Sequence, residues 1–477
     1  MSEFDQRVFD YFGNEAVSKR RMSLLKKQFG QLIPNYVFEP LVQTIAPGRD
    51  VPSPSEYSRI HEFISTHLPG SDNEADFKNR IYEGSEVRII GLVQTRVELK
   101  QNKHDRFAVI PNLGLERAEI EGKIIDSAPD ELKKEGVWGK VKLSTLGEKL
   151  VHIVKFEPFQ QSVNLPMLES IRTKFSVEEW IRLLIGSAGF EAEKLSHSQR
   201  MLVLLRLCTL AQPSLNFMEL GPKQTGKTFL YRNISPAAFV VNGSEVTVAK
   251  LFYNDNTRRE GYIYNFKVVA LDEVQHMAGG ADKVFALIDS LKGYLEDGTI
   301  SKAGNIKSDC SFVLLANIEC EDDPLTNAFL PKDPGIVNSL HRAFLETAFL
   351  DRFNGIIPGW KMPKLHDQLF YTGAAINADF FARTLKALRR ANYSSNLIES
   401  RVKFSPETTK RDCDRIKQTA RALCNLVFLG MMPSNEELET FCLKPAIEVR
   451  QLVRDACYYR DVEFQRGPKE IKAWIEE

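Results

Sequence analysis

Residues 221–228 read Gly-Pro-Lys-Gln-Thr-Gly-Lys-Thr and satisfy G-x-x-x-x-G-K-[ST] without a mismatch. The apolar run Leu215 to Leu220 precedes them and predicts a strand; Thr228 to Asn233 follows and predicts a helix start. Strand, glycine-bearing loop and helix in that order form the local geometry that wraps a phosphate. Gly221 and Gly226 let Pro222, Lys223, Gln224 and Thr225 curl so that amide N–H groups turn toward an anion. Lys227 can reach β- and γ-phosphates, and Thr228 can offer its hydroxyl to Mg²⁺. The helix N-terminus adds positive potential at the same place. ATP and Mg²⁺ are the expected cofactors, and the loop demands a parallel sheet covered by helices.

Two later apolar runs fit that demand. Val268-Val-Ala-Leu-Asp272-Glu273 ends in paired acids, where uncompensated carboxylates are costly. A magnesium ion at Asp272 relieves the cost, and Glu273 is then placed to polarise an attacking water. Phe312-Val-Leu-Leu-Ala-Asn317 ends in an amide that can bond a γ-phosphate or that water. Phe349-Leu-Asp351-Arg352-Phe353 follows a stretch, Asn338–Ala348, whose spacing predicts an amphipathic helix. Arg352 there can point at a neighbouring subunit's γ-phosphate. The plainer alternative is a local Asp351–Arg352 pair on a surface, worth little.

Length predicts several domains in 477 residues, and a hydrophobic content of 43% is ordinary for globular cores. The 63 basic and 63 acidic residues balance, so any nucleic-acid surface must be a local patch. No run approaches the ~18 apolar residues of a membrane span, and the N-terminus lacks a signal-peptide core. The 7 cysteines and 8 histidines show no zinc or disulfide spacing, so a reduced, cytoplasmic protein is expected.

Along the chain the expected order is multidomain α/β. Residues 1–80 read as a helical N-terminal unit. Residues 81–165 hold five or so short strands, a small barrel or sandwich with an OB-like barrel among the candidates. Residues 166–370 alternate strands with helices, opened by the capping box Ser176-Val-Glu-Glu179. Residues 371–477 are helical and would form a lid.

The motifs in this order resemble the AAA+ ATPases: a phosphate-loop core with a helical lid. Tyr294-Leu-Glu-Asp-Gly-Thr-Ile-Ser-Lys-Ala-Gly-Asn-Ile-Lys307 resembles the hairpin region of MCM-type replicative helicases. Met218–Thr228, Asn233-Ile-Ser-Pro236, Thr247–Asn254 and Phe349–Trp360 together resemble the BrxL family, Lon-like AAA+ proteins of BREX bacteriophage-exclusion systems. That resemblance implies an ATP-using ring motor on DNA, translocase- or helicase-like, acting in phage defence. The ring is expected to be a hexamer, with stacked rings and other defence proteins as possible partners, on double-stranded DNA and away from membranes. It also implies a second sensor arginine in the lid, with Arg411 and Arg415 both open. Gln224 departs from the glycine common at its position, a departure that a negative φ would accommodate. No counterpart of the Lon-like C-terminal domain of many relatives lies within these 477 residues, so no protease activity is expected.

Candidate DNA contacts come from clustered charge. Ala16–Leu32 carries Lys19, Arg20, Arg21, Lys26 and Lys27 without one acid, a phosphate-binding cluster or else a solvated helix face. In a ring, Lys302 and Lys307 would flank a hairpin tip in the pore, and Arg258 and Arg259 would form a second pore loop. Arg88, Arg96, Lys100, Lys103 and Arg106 with Phe107 offer a weaker groove among interleaved acids. A protein-remodelling unfoldase, gripping polypeptide with Tyr253, Tyr262 and Tyr264, is the competing reading; an ATP-switched scaffold is a third.

Overall fold

The absence of acids between Ala16 and Leu32 does not leave the basic cluster open to solvent. In the computed structural model, helix α1 (Lys19–Phe29) packs with α2 (Asn35–Ile45) and α3 (Pro54–His67). Residues 2–29, 33–70, 72–100, 103–128, 132, 136–146, 150–159, 163–254, 259–277, 281–300 and 306–476 are described. Lys19 is buried and donates to both carboxylate oxygens of Glu39, at 2.7 and 2.9 Å. Arg21 is buried too, bonded to Glu56 Oε1 at 2.7 Å and to the carbonyls of Ala46 and Asp50, each at 2.9 Å. Lys26 is half-buried, donates to Asn35, and burial pushes its amine down to about 8. Only Arg20 and Lys27 of the five are exposed. The expectation of one phosphate-facing cluster is therefore corrected: acids from α2 and α3 neutralise two of its five charges, Lys19 and Arg21.

These helices belong to a unit formed by Phe12–Val163 with Asn377–Phe380. Val17, Met22, Leu25, Phe38, Leu41 and Ile60 make their core. Helix α3 starts where its sequence says it must. Ser53 accepts from the Glu56 amide, Glu56 returns a bond to the Ser53 amide at 2.8 Å, and Pro54 fills the first turn. After α4 (Glu74–Tyr82), five strands follow: β1 (Val87–Lys100), β2 (Lys103–Ile110), β3 (Leu115–Ile120), β4 (Val137–Leu146) and β5 (Leu150–Pro158). They close into a barrel in the order β1-β2-β3-β5-β4, so a barrel, not a sandwich, is what the short strands build. Alternate residues Val137, Val141 and Leu143 point inward with Val87, Ile89 and Val93. Gly139 is obligatory there, because a Cβ would sit 2.4 Å from the Glu157 carbonyl oxygen.

The second unit comprises Met1–Tyr11, Asn164–Ile376 and Phe381–Glu477. Helix α5 (Val177–Ser187) begins at the expected Ser176–Glu179 capping box, and α6 (His197–Ala211) is buried along nearly its whole length. Five strands form one parallel sheet: β6 (Phe217–Gly221), β7 (Ala238–Asn242), β8 (Val268–Asp272), β11 (Ser311–Asn317) and β12 (Gly355–Pro358). A hairpin of β9 (Thr299–Ile300) and β10 (Ile306–Lys307) precedes β11. The strand order is β12-β6-β11-β8-β7. Buried on both faces, β6, β8 and β11 read as continuous apolar runs rather than alternating ones. Between strands lie α7 (Lys227–Asn233), α8 (Ala281–Asp297) and α9 (Thr347–Leu350); α10 (Lys410–Phe428) and α11 (Lys444–Tyr458) follow.

One predicted helix is absent. Residues 338–348 hold turns, a short 3₁₀ segment (Arg342–Leu345) and the start of α9. Leu340, Ala343 and Phe344 bury as their spacing required, but Glu346 is extended at ψ 124°, which interrupts the helical path. Apolar periodicity alone could not distinguish the two solutions.

Candidate functional site

Strand β6 lies between β12 and β11, where the sequence order of the sheet reverses. Such a switch point opens a crevice at the carboxyl ends of the strands. Gly221 ends β6 and pairs with Asn317, the last residue of β11; Asp272, the last of β8, pairs with Asn242 of β7. The register alone therefore sets the phosphate loop, the acidic pair and Asn317 at one edge.

Within the loop, Gly226 has φ 79° and leads into α7. A Cβ on Gly221 would meet the Gly359 carbonyl carbon at 2.5 Å, so glycine is needed there for close approach. Gln224 corrects an expectation: its φ is +68°, in the left-handed region, not negative. The glycine common at this position thus has a backbone reason, and Gln224 holds the same shape under strain.

Lys227 is buried, and its Nζ donates to the carbonyls of Gly221 (2.8 Å), Pro222 (3.1 Å) and Ala316 (3.2 Å) and to Asn317 Oδ1 (3.1 Å). Burial pushes its pKa down to about 8. Thr228 Oγ1 donates to Asp272 Oδ2 at 2.9 Å. Glu273 has φ +55°, and its Oε2 accepts from Asn242 Nδ2 at 3.2 Å. Gln275 Oε1 accepts from the Asn317 amide at 3.1 Å.

Beneath the loop lies a fully buried ion pair that the reading of motifs missed. Arg206 of α6 donates to Glu219 of β6 at 3.0 and 2.5 Å, and to the Thr225 carbonyl at 3.3 Å. The sequence carried a signal: Glu219 interrupts the apolar run Phe217–Leu220. Asn242 carried a similar one, as the polar exit of an apolar strand; Gln275 carried none.

The donor set fits a triphosphate with magnesium. Among the described residues no three His, Cys, Asp or Glu side chains gather to hold a metal unaided. One hydroxyl and one carboxylate suit a hydrated Mg²⁺ that also takes phosphate oxygens.

Three candidate arginines gather elsewhere, on the last turn of α8. Arg352 Nε lies 3.0 Å from Glu296 Oε2, and its guanidinium also donates to the Ala348 carbonyl. Arg411 bonds Glu296 at 2.9 Å and Asp351 at 2.6 Å. Arg415 donates to the Leu295 carbonyl at 3.1 Å. Of the pore candidates, Lys307 is exposed on β10 opposite Thr299. Arg259 lies in a two-residue strand paired with Tyr253–Asn254. Lys302 and Arg258 lie outside the described residues. Tyr262 packs on Phe239 with ring centroids 4.5 Å apart, and both Tyr262 and Tyr264 lean on the sheet's core. No helix among the described residues is long and apolar enough to cross a membrane.

Comparison with known proteins gives the family. Residues 151–469 match the family described as "Lon-like protease BrxL-like, ATPase domain", and residues 10–145 match "BREX system Lon protease-like protein BrxL N-terminal". Proteins named "Lon-like protease BrxL" from Escherichia coli O9:H4 (strain HS) and Bacillus cereus (strain H3081.97) are each 27% identical over 95% of this chain. The chain spans 64% and 67% of their respective lengths. A full-length MCM homolog from Methanopyrus kandleri aligns over 89% of this chain and all of its own, with 14% identity and a TM-score of 0.41. With one family model covering well over half of its length and a second covering most of the rest, the chain belongs to the BrxL family.

Proposed function

We propose that this chain hydrolyses ATP and uses the energy as a DNA-binding ring in BREX-type phage defence.

 

The reading is a hexameric motor, translocase- or helicase-like, in which adjoining copies share each nucleotide. The observation that carries it is the convergence of Lys227, Thr228, Asp272 and Asn317 at the carboxyl ends of adjacent strands. Family membership supports the ATPase and defence parts of the reading.

Each residue has a chemical task. The loop of Gly221 to Gly226 would present amide N–H groups to the phosphates, and Lys227 would trade its carbonyl partners for β- and γ-oxygens. Thr228 and Asp272 would hold Mg²⁺, which neutralises charge building on the phosphate oxygens. Glu273 would take a proton from the attacking water, and Asn317 would orient that water or the γ-phosphate. Arg352 would complete the site of the adjoining copy, with Arg411 or Arg415 sensing the nucleotide from the lid. Arg20, Lys27, Lys307 and Arg259, with Lys302 and Arg258, remain the candidate DNA contacts; buried Lys19 and Arg21 are withdrawn from that role.

The test is phosphate release by the full chain, with and without duplex DNA, across a salt series. Lys227→Ala should abolish turnover, and DNA should stimulate the wild type with a steep salt dependence of binding. Turnover that survives Lys227→Ala overturns the site. Stimulation by unfolded polypeptide instead of DNA favours the unfoldase. Electron microscopy with an ATP analogue and DNA reports ring formation and stoichiometry.

A further inference from the structure

Helix α8 ends in Glu296 and Asp297 with no basic residue in its last turn. Acids at a helix C-terminus face the negative end of the macrodipole, so the arrangement is unfavourable by itself. Three arginines remote in sequence correct it. Glu296 Oε1 accepts a hydrogen bond from Arg411 at 2.9 Å, Glu296 Oε2 lies 3.0 Å from Arg352 Nε as an ion pair, and the Leu295 carbonyl accepts from Arg415 at 3.1 Å. Glu296 is the carboxylate that Arg352 and Arg411 share. Its side chain is 44% exposed, and half-exposed pairs contribute little to stability. Such bonds are weak enough for a triphosphate to displace.

The same turn is the root of the β9–β10 hairpin. Gly298, two residues after Glu296, has φ +73°, and a Cβ there would sit 2.7 Å from the Ser308 carbonyl oxygen. Its amide donates to the Tyr294 carbonyl at 2.8 Å, and the Ser308 amide donates to the Gly298 carbonyl at 3.0 Å. Asp297 Oδ1 accepts from the Thr299 amide at 2.8 Å. A displacement of the last helical turn therefore passes toward β9 through the chain itself and the Asp297–Thr299 bond, and toward β10 through the Ser308–Gly298 backbone bond.

We infer that Glu296 is a positioning residue that ties the hairpin root to Arg352 and Arg411, and that nucleotide phosphate competes with it for those guanidiniums. The inference rests on the ATPase reading above for its nucleotide arm, but the clamp itself does not. When Arg352 and Arg411 leave for phosphate, the turn keeps only Arg415 as a counter-charge and its hold on the hairpin root weakens.

The test is hydrogen exchange on the full chain, read at Gly298 and Ser308, for wild type, Glu296→Gln and Glu296→Asp, with and without a non-hydrolysable ATP analogue and Mg²⁺. Glu296→Gln should raise exchange at both amides about tenfold without nucleotide, to the level the wild type shows with analogue. Glu296→Asp should restore much of the protection. In turnover, the ratio of DNA-stimulated to basal rate should fall toward one in Glu296→Gln. Unchanged protection in Glu296→Gln overturns the clamp, and so does a loss spread evenly over the sheet with a lowered Tm, which marks a merely structural role. A bound analogue that leaves wild-type exchange unmoved overturns the competition. Failure of the ATPase reading looks different: no analogue binds, or Lys227→Ala keeps turnover.

Discussion

Thr228 Oγ1 donates to Asp272 Oδ2 across 2.9 Å, joining the first turn of α7 to the carboxyl end of β8. A hydroxyl and a carboxylate so placed can share one hard cation. Asp272→Asn keeps the shape and removes the charge. Turnover should fall roughly 100-fold or more, since metal stabilisation of developing charge is worth several kcal/mol. Phosphate release measured across a Mg²⁺ titration checks it; a variant with unchanged rate and unchanged Mg²⁺ dependence would remove Asp272 from the site.

Glu273 sits one residue further, in a left-handed conformation and bonded to Asn242. Glu273→Gln should slow hydrolysis by about 10² to 10⁴, the usual worth of a general base, while nucleotide binding is retained. Equilibrium binding beside single-turnover hydrolysis separates the two effects. Loss of both together would mean that Glu273 serves the architecture instead.

Gln224 holds φ +68°. A left-handed non-glycine residue costs about 1–2 kcal/mol, whereas glycine adds roughly 0.4–1 kcal/mol of unfolded-state freedom. Gln224→Gly should therefore be neutral or slightly stabilising, and Gln224→Val clearly destabilising. Denaturant midpoints of the two variants decide; a Gln224→Gly variant as damaged as the valine one would contradict the strain.

Arg206 and Glu219 are both fully buried. Removing one partner leaves an uncompensated charge, so Arg206→Met should cost about 3–5 kcal/mol. The double change Arg206→Met with Glu219→Met should recover much of that loss, because the desolvation cost disappears with the second charge. Nucleotide affinity should remain reduced in the double variant, since the bond from Arg206 to the Thr225 carbonyl is gone.

Glu56 accepts from Ser53 and from Arg21, and these bonds lower its carboxyl from 4.5 to about 2. The unfolded chain binds the proton more readily, so stability rises with pH between about 2 and 4.5. The contribution is present above that window and is lost as pH falls through it. Glu56→Gln should destabilise at pH near 7 and match the wild type near pH 2, read from denaturation midpoints at each pH.

Local signals were legible in the chain itself. The phosphate loop, the apolar strands with polar exits, and the capping box at Ser176 all depend on neighbours within a few residues. Strand-and-helix alternation then leads to a parallel sheet, and short strands to a barrel. Long-range partners were not legible, because a local window contains no information about which distant acid a base will meet. Lys19 and Arg21 looked like a free basic face until α2 and α3 supplied Glu39 and Glu56. Arg352 was expected as a finger toward a neighbouring copy and Arg411 or Arg415 as a lid sensor, with nothing local to show that packing brings all three to one turn of α8. The sequence by itself determined the chemistry that the strand ends can carry; only the tertiary structure decided which charges stand open and which are already held, since that depends on burial and on pairs formed across the fold.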